Sequence, residues 1–197
     1  MFRLPLRTIS AILLAIAVAT HVSAFTPASL KSETLTYKVM FKWGLINKQA
    51  GRATLSLKQT PTQYMASLAA RSEPWADRIY KVRDTLNGRM TAADFTPLFY
   101  EKIANEGSER KHDIVRYNYT SPGIVKAQCT RRVFKKGVLK VDQQHELEAD
   151  SAAIDMLSSF YYMRTLPYPD MRKGQETRID IFSGKRKELL TIKYHGV

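Results

Sequence analysis

The sequence predicts a mainly β domain built on an antiparallel sheet. Three observations carry this. Apolar and polar residues alternate in many short runs, turn signals separate those runs at even intervals, and one later segment, near residues 152–165, has helical spacing. Leu35, Tyr37, Val39, Phe41 and Trp43 alternate with Thr36, Lys38, Met40 and Lys42. Successive side chains on a strand point to opposite faces, so this run has one apolar and one largely polar face. Ala53, Leu55 and Leu57 repeat the pattern, and Tyr64, Ala66, Leu68 and Ala70 do so less strictly, with Thr60-Pro61-Thr62 as the connection.

From Pro74 to Val82 the rhythm changes. Trp75, Ile79, Tyr80 and Val82 have near-helical spacing, which predicts one or two helical turns starting at Pro74. Arg83 to Thr91 reads as a strand with Asn87-Gly88 inside it, where a hairpin and a bulge compete. Further strands are expected from Pro97 to Ile103, Asp113 to Tyr119, Ile124 to Phe134 and Val138 to about Gln144. Their turns fall at Glu106-Gly107-Ser108, Ser121-Pro122-Gly123 and Lys135-Lys136-Gly137, as in a meander. Ile154, Leu157, Phe160, Tyr161 and Arg164 then fit one face of a helix, with Asp150 or Ser151 as candidate N-cap and Pro167 and Pro169 as its stop. Two strands follow, Thr177 to Phe182 and Glu188 to Tyr194. Tyr37, Val39, Phe41, Leu55, Leu57, Ile154, Leu157 and Phe160 are the expected core.

The first 24 residues have the pattern of an export signal. Arg3 and Arg7 precede an apolar run from Ile9 to Val22 that lacks Asp, Glu, Lys and Arg, and Val22-Ser23-Ala24 has the small-residue cleavage pattern. The run is short for a membrane span. The expected mature chain starts at Phe25, has 173 residues in a single β-rich domain (25–197), and lies in the periplasm or beside the outer membrane. The leader carries two Arg and no acid, so its removal lowers the formal charge from +13 to +11. Such a charge attracts anionic surfaces. Export favours lipid headgroups, lipopolysaccharide phosphates or acidic glycans over nucleic acid as partners, although solvation alone also accounts for a basic surface. Cys129 is the single cysteine, so no intramolecular disulfide can form. The chain ends at Val197 directly after a strand, an open edge that predicts further strands beyond it.

The sequence shows little catalytic chemistry. It has no Gly-x-Ser-x-Gly elbow, P-loop or Gly-x-Gly-x-x-Gly fingerprint. His112, His145 and His195 have no metal-ligand spacing, and no cofactor is expected. Glu146, Glu148 and Asp150 would share a strand face and could hold a hard cation or serve an enzyme acting on envelope glycans or lipids, but a solvated strand end explains them more simply. Cys129 alternates with Val125 and Ala127, which places it on an apolar face as an inert core thiol.

Two surfaces are candidates for binding. Trp43 and Trp75 end their segments, and the consecutive Phe160, Tyr161 and Tyr162 cannot all point one way on a helix. Together they could line an apolar groove, or the helix could simply plug the sheet. Arg131, Arg132, Lys135 and Lys136, with Lys140, form the densest basic run around a hairpin tip, an accessible place for anion contact.

Several segments carry a family resemblance. They are Leu35-Thr-Tyr-Lys-Val with Gly51-Arg-Ala, Pro97-Leu-Phe-Tyr leading to Glu106-Gly107, and Asp155-Met-Leu-Ser-Ser-Phe-Tyr-Tyr-Met-Arg164 followed by Leu166-Pro167 and Gly174. In order and spacing they resemble the exported domain of unknown function 3108 family in its Bacteroidota form. The resemblance implies a Gram-negative envelope protein with a strongly curved antiparallel sheet, an incomplete barrel holding the helix on its concave face, like periplasmic lipoprotein carriers. It assigns no catalytic residue. The expected function is therefore noncatalytic binding of an apolar or amphiphilic ligand, a lipid or lipoprotein. The alternative is an interaction module that docks on anionic envelope polymers or a protein through its basic surface.

Overall fold

The computed structural model describes residues 30–43, 45–121 and 123–196. The expected leader (1–24), the Phe25 start and the end at Val197 lie outside them.

Eight antiparallel strands form one sheet in strict sequence order: β1 (Glu33–Trp43), β2 (Ile46–Gln59), β3 (Gln63–Ser72), β4 (Val82–Thr91), β5 (Pro97–Glu106), β6 (Glu109–Ser121), β7 (Ile124–Lys135) and β8 (Val138–Ala149). The sheet is open, since β1 pairs with β2 and β8 with β7 but not with each other. The single turn α1 (Pro74–Asp77) joins β3 to β4. After β8 come the two-residue strand β9 (Ala153–Ile154), the helix α2 (Met156–Arg164), β10 (Glu176–Phe182) and β11 (Lys187–Lys193). β9, β10 and β11 form a second, three-stranded sheet, with β9 parallel and β11 antiparallel to β10.

The register puts one apolar row across the large sheet. Leu57, Ala66, Gly88, Tyr100, Val115 and Cys129 are successive neighbours on β2 to β7. All are buried. We call this the inner face. Two elements cover it. α2 lies over β3 and β4, where a Cβ on Gly88 would sit 3.4 Å from Leu157 Cδ2. Asn87-Gly88 is therefore a point of close helix approach inside a continuous strand. The local irregularity falls one residue later, between Arg89 and Met90. The β10–β11 hairpin covers β6: Phe182 stacks on Tyr117 at 5.8 Å, and Gly184, with φ +89°, lies against Asp113. A Cβ there would come within 3.0 Å of the Asp113 side chain, so the position requires glycine for both space and φ.

The helix starts later than the sequence pattern suggests. Neither Asp150 nor Ser151 caps it, because Ala153 and Ile154 extend to pair with Asp180 and Ile181. Asp155 is the N-cap. Its Oδ1 accepts the backbone N–H groups of Leu157 (2.9 Å) and Ser158 (2.8 Å), and its Oδ2 accepts the Ser158 hydroxyl (2.6 Å). At the other end Arg164 forms a two-pronged ion pair with Glu33, which ties α2 to the edge strand β1.

Half of the expected core is buried, namely Leu55, Leu57, Ile154 and Leu157, and Phe160 is partly buried against it. Three residues differ. Tyr37, Val39 and Phe41 are 41, 49 and 40 % exposed. Tyr37 and Val39 pair with Ala53 and Gly51 in the same alternation as the buried Leu55 and Leu57, so they belong to the inner face. That end of the face is simply uncovered. Leu55→Ala should therefore destabilise by about 2–5 kcal/mol, whereas Phe41→Ala should cost only about 1 kcal/mol. Urea unfolding of both variants checks this, and equal losses would contradict it.

Burial pushes the Asp155 carboxyl up to about 6, against the four hydrogen-bonding effects that lower it. A raised carboxyl stabilises the fold most fully below its unfolded value near 4, and that contribution is lost as pH rises through about 6. Asp155→Asn keeps an acceptor for the cap without the charge. Relative to the wild type it should gain about 2–3 kcal/mol between pH 4 and 7. Unfolding midpoints across that range would show it, and parallel profiles would contradict it.

Candidate functional site

The uncovered end of the inner face forms an open apolar groove of about 350 Å³. Its floor is Val39 and Phe41 of β1, Ala50 and Gly51 of β2 and Ala70 of β3. A β-bulge between Val39 and Met40 lets both Ala50 and Gly51 oppose one stretch of β1. The wall is the α1 segment, with Trp75, Ile79 and Tyr80.

α1 is held against the sheet by polar bonds at its margins. Trp75 Nε1 donates to the Gln49 carbonyl at 2.8 Å, and its ring meets Phe41 edge-on at 6.4 Å. Glu73 accepts from Gln49 Nε2 and Arg52 Nη2, each at 2.9 Å. Asp77 binds both terminal nitrogens of Arg83 (3.0 and 2.6 Å) and the Ser72 hydroxyl. The Arg83 and Ser72 bonds hold the Asp77 carboxyl below its ordinary range. Lys48 Nζ stands 5.0 Å from the Trp75 ring centre, a cation–π contact. Arg52 and Arg71 oppose each other in the register, one residue from Gly51 and Ala70, so their side chains leave by the other face of the sheet.

The residues singled out by sequence are dispersed. Trp75 lines the groove, and Trp43 ends β1, its side chain outside the described residues. Tyr161 is fully buried under the sheet, Phe160 meets it edge-on at 5.6 Å, and burial raises the Tyr162 phenol. None of these three lines the groove. Phe41, Ile79 and Tyr80 do, and the sequence held a signal for them in the alternation of β1 and the spacing after Pro74.

The basic run divides between faces. Arg131 points inward to the buried Asp113 at 3.2 Å, and Arg132 points outward to Asp142 at 3.2 Å. Lys135 and Lys136 are exposed at the β7–β8 turn. Glu146 and Glu148 are exposed on β8, and Glu148 pairs with Lys126 at 3.1 Å. Among the described residues no group of three or more His, Cys, Asp and Glu is placed to hold a metal ion. His145 stands opposite Cys129 in the register, but burial pushes that thiol up to about 11, away from the thiolate a nucleophile needs.

Residues 36–197 match the family described as "Protein of unknown function (DUF3108)", and the chain belongs to that family. Neither the curated proteins nor the solved structures gave a match. No helix among the described residues is long and apolar enough to cross a membrane.

Proposed function

We propose that this is a noncatalytic, exported envelope protein that binds an amphiphile, its apolar chain lying in the groove between β1–β3 and α1. The observation that carries this reading is the groove itself. Its volume of about 350 Å³ falls in the roughly 300–1,000 Å³ range of small-molecule sites. Its lining is apolar, and a contiguous exposed apolar surface on a folded domain usually marks an interaction site. In the same reading the large sheet curls about α2 as an incomplete barrel, the architecture that the family resemblance implies. The Arg131–Lys136 run is a weaker basis for function, because Arg131 and Arg132 are each paired and face opposite ways.

Titration with a fluorescent fatty acid tests the proposal. The wild type should take it up with a negative heat-capacity change and little dependence on salt. Ala70→Phe, which fills the groove floor, should abolish uptake with an unfolding midpoint close to wild type. Phe160→Leu, on α2, should leave uptake intact. Unchanged uptake by Ala70→Phe would overturn the assignment, and loss on Phe160→Leu would move the site to α2.

A further inference from the structure

The two ends of the large sheet differ in charge. The turns between β2 and β3 (60–62), β4 and β5 (92–96), and β6 and β7 (122–123) contain no Lys or Arg. The opposite end holds the β1–β2 tip, the α1 segment and the β5–β6 and β7–β8 turns. There Lys42, Lys48, Arg78, Lys81, Lys135 and Lys136 form no ion pair among the described residues. The acids at this end are already matched by other cations: Glu73 by Arg52, Asp77 by Arg83, and Glu106 and Glu109 by Lys111. Lys111 serves two carboxylates, and Lys135 stands opposite Glu109 in the register, so these nine cations exceed the four acids by five.

The same end carries protruding apolar side chains. Leu45, at the tip between the paired Trp43 and Ile46, is fully exposed, and Ile79 is 78 % exposed. The two belong to one surface. α1 rests on the β2 segment that leads away from the tip, through Trp75 on Gln49 and Lys48 beside the Trp75 ring. Tyr80, also exposed, continues the surface toward the β5–β6 turn, where the Gly107 N–H bonds the Lys81 carbonyl at 2.8 Å.

We infer that this end of the protein docks on an anionic lipid bilayer, with Leu45 and Ile79 entering the headgroup region and Lys42, Lys48, Arg78 and Lys81 meeting lipid phosphates. The charge complementarity names the partner. Basic side chains around protruding apolar ones match a surface that is anionic outside and apolar beneath, and a soluble polyanion would have no use for Leu45. The inference holds whether or not the groove takes a ligand.

Co-sedimentation of the mature chain with phosphatidylcholine vesicles, with and without phosphatidylglycerol, tests it. Binding should require phosphatidylglycerol and fall steeply with added salt. Leu45→Asp should weaken it by about tenfold or more, because an apolar anchor is replaced by a charge facing anionic lipid. Neither the fold nor fatty-acid uptake should change, since that side chain contacts solvent alone and is not part of the groove. Lys42→Glu with Arg78→Glu and Lys81→Glu should abolish vesicle binding. Lys58→Glu with Lys126→Glu, toward the other end, should leave it unchanged. Absence of binding to the anionic vesicles at low salt would overturn the inference. So would an equal loss from the Lys58 and Lys126 pair. Full binding by Leu45→Asp would replace the bilayer with a partner that reads charge alone.

Discussion

The sheet's inner face is longer than what covers it. β2 has 14 residues and spans about 48 Å, whereas the nine residues of α2 span about 14 Å. A strand with one apolar face must bury that face or leave it exposed to water, and burial is the dominant favourable contribution to folding. Here the short helix and the β10–β11 hairpin are placed over β3 to β7, where Tyr64, Tyr100, Val115 and Tyr161 pack without solvent contact. The end beyond them keeps the same alternation without a roof. The groove follows from this mismatch in length, with α1 as its wall.

Asp155 and Gly88 set where the covered part stops. Asp155 fixes the first turn of α2, and Gly88 lets that turn approach β4 closely. The Arg164–Glu33 pair fixes the helix's other end to β1. Moving α2 toward the groove would break all three contacts. At the far end Phe95, with φ +57°, stacks on Tyr64 at 4.5 Å and closes the core there. The groove therefore opens at the β1–β3 and α1 end, where Lys42, Lys48, Arg78 and Lys81 also lie.

Alternation made the strands legible because it is a local property. It placed Leu55 with Leu57 and Val39 with Phe41 on one face, as the register has them. It could not separate the buried pair from the exposed one, since that depends on the length and position of a helix more than 100 residues away. Asp155 was hidden for a similar reason: Asp150 and Ser151 are equally good caps until Ala153 and Ile154 are known to pair with β10. Trp75 was legible from its near-helical spacing with Ile79 and Tyr80 after Pro74. The division of Arg131 and Arg132 between faces was implicit in the strand period, but a run of like charges in sequence suggests one patch. Phe160 to Tyr162 looked like a binding stripe because three adjacent aromatics cannot all face a core. In the fold, Tyr161 takes the core and Phe160 packs at its margin.

In the proposed function, the uncovered end of the inner face is a ligand site rather than a packing defect. Native mass spectrometry of the protein purified from its own host tests this most directly. A retained amphiphile is expected on the wild type and is expected to be missing from Ala70→Phe. A bare polypeptide mass for the wild type, under conditions that preserve noncovalent lipid complexes, would contradict it.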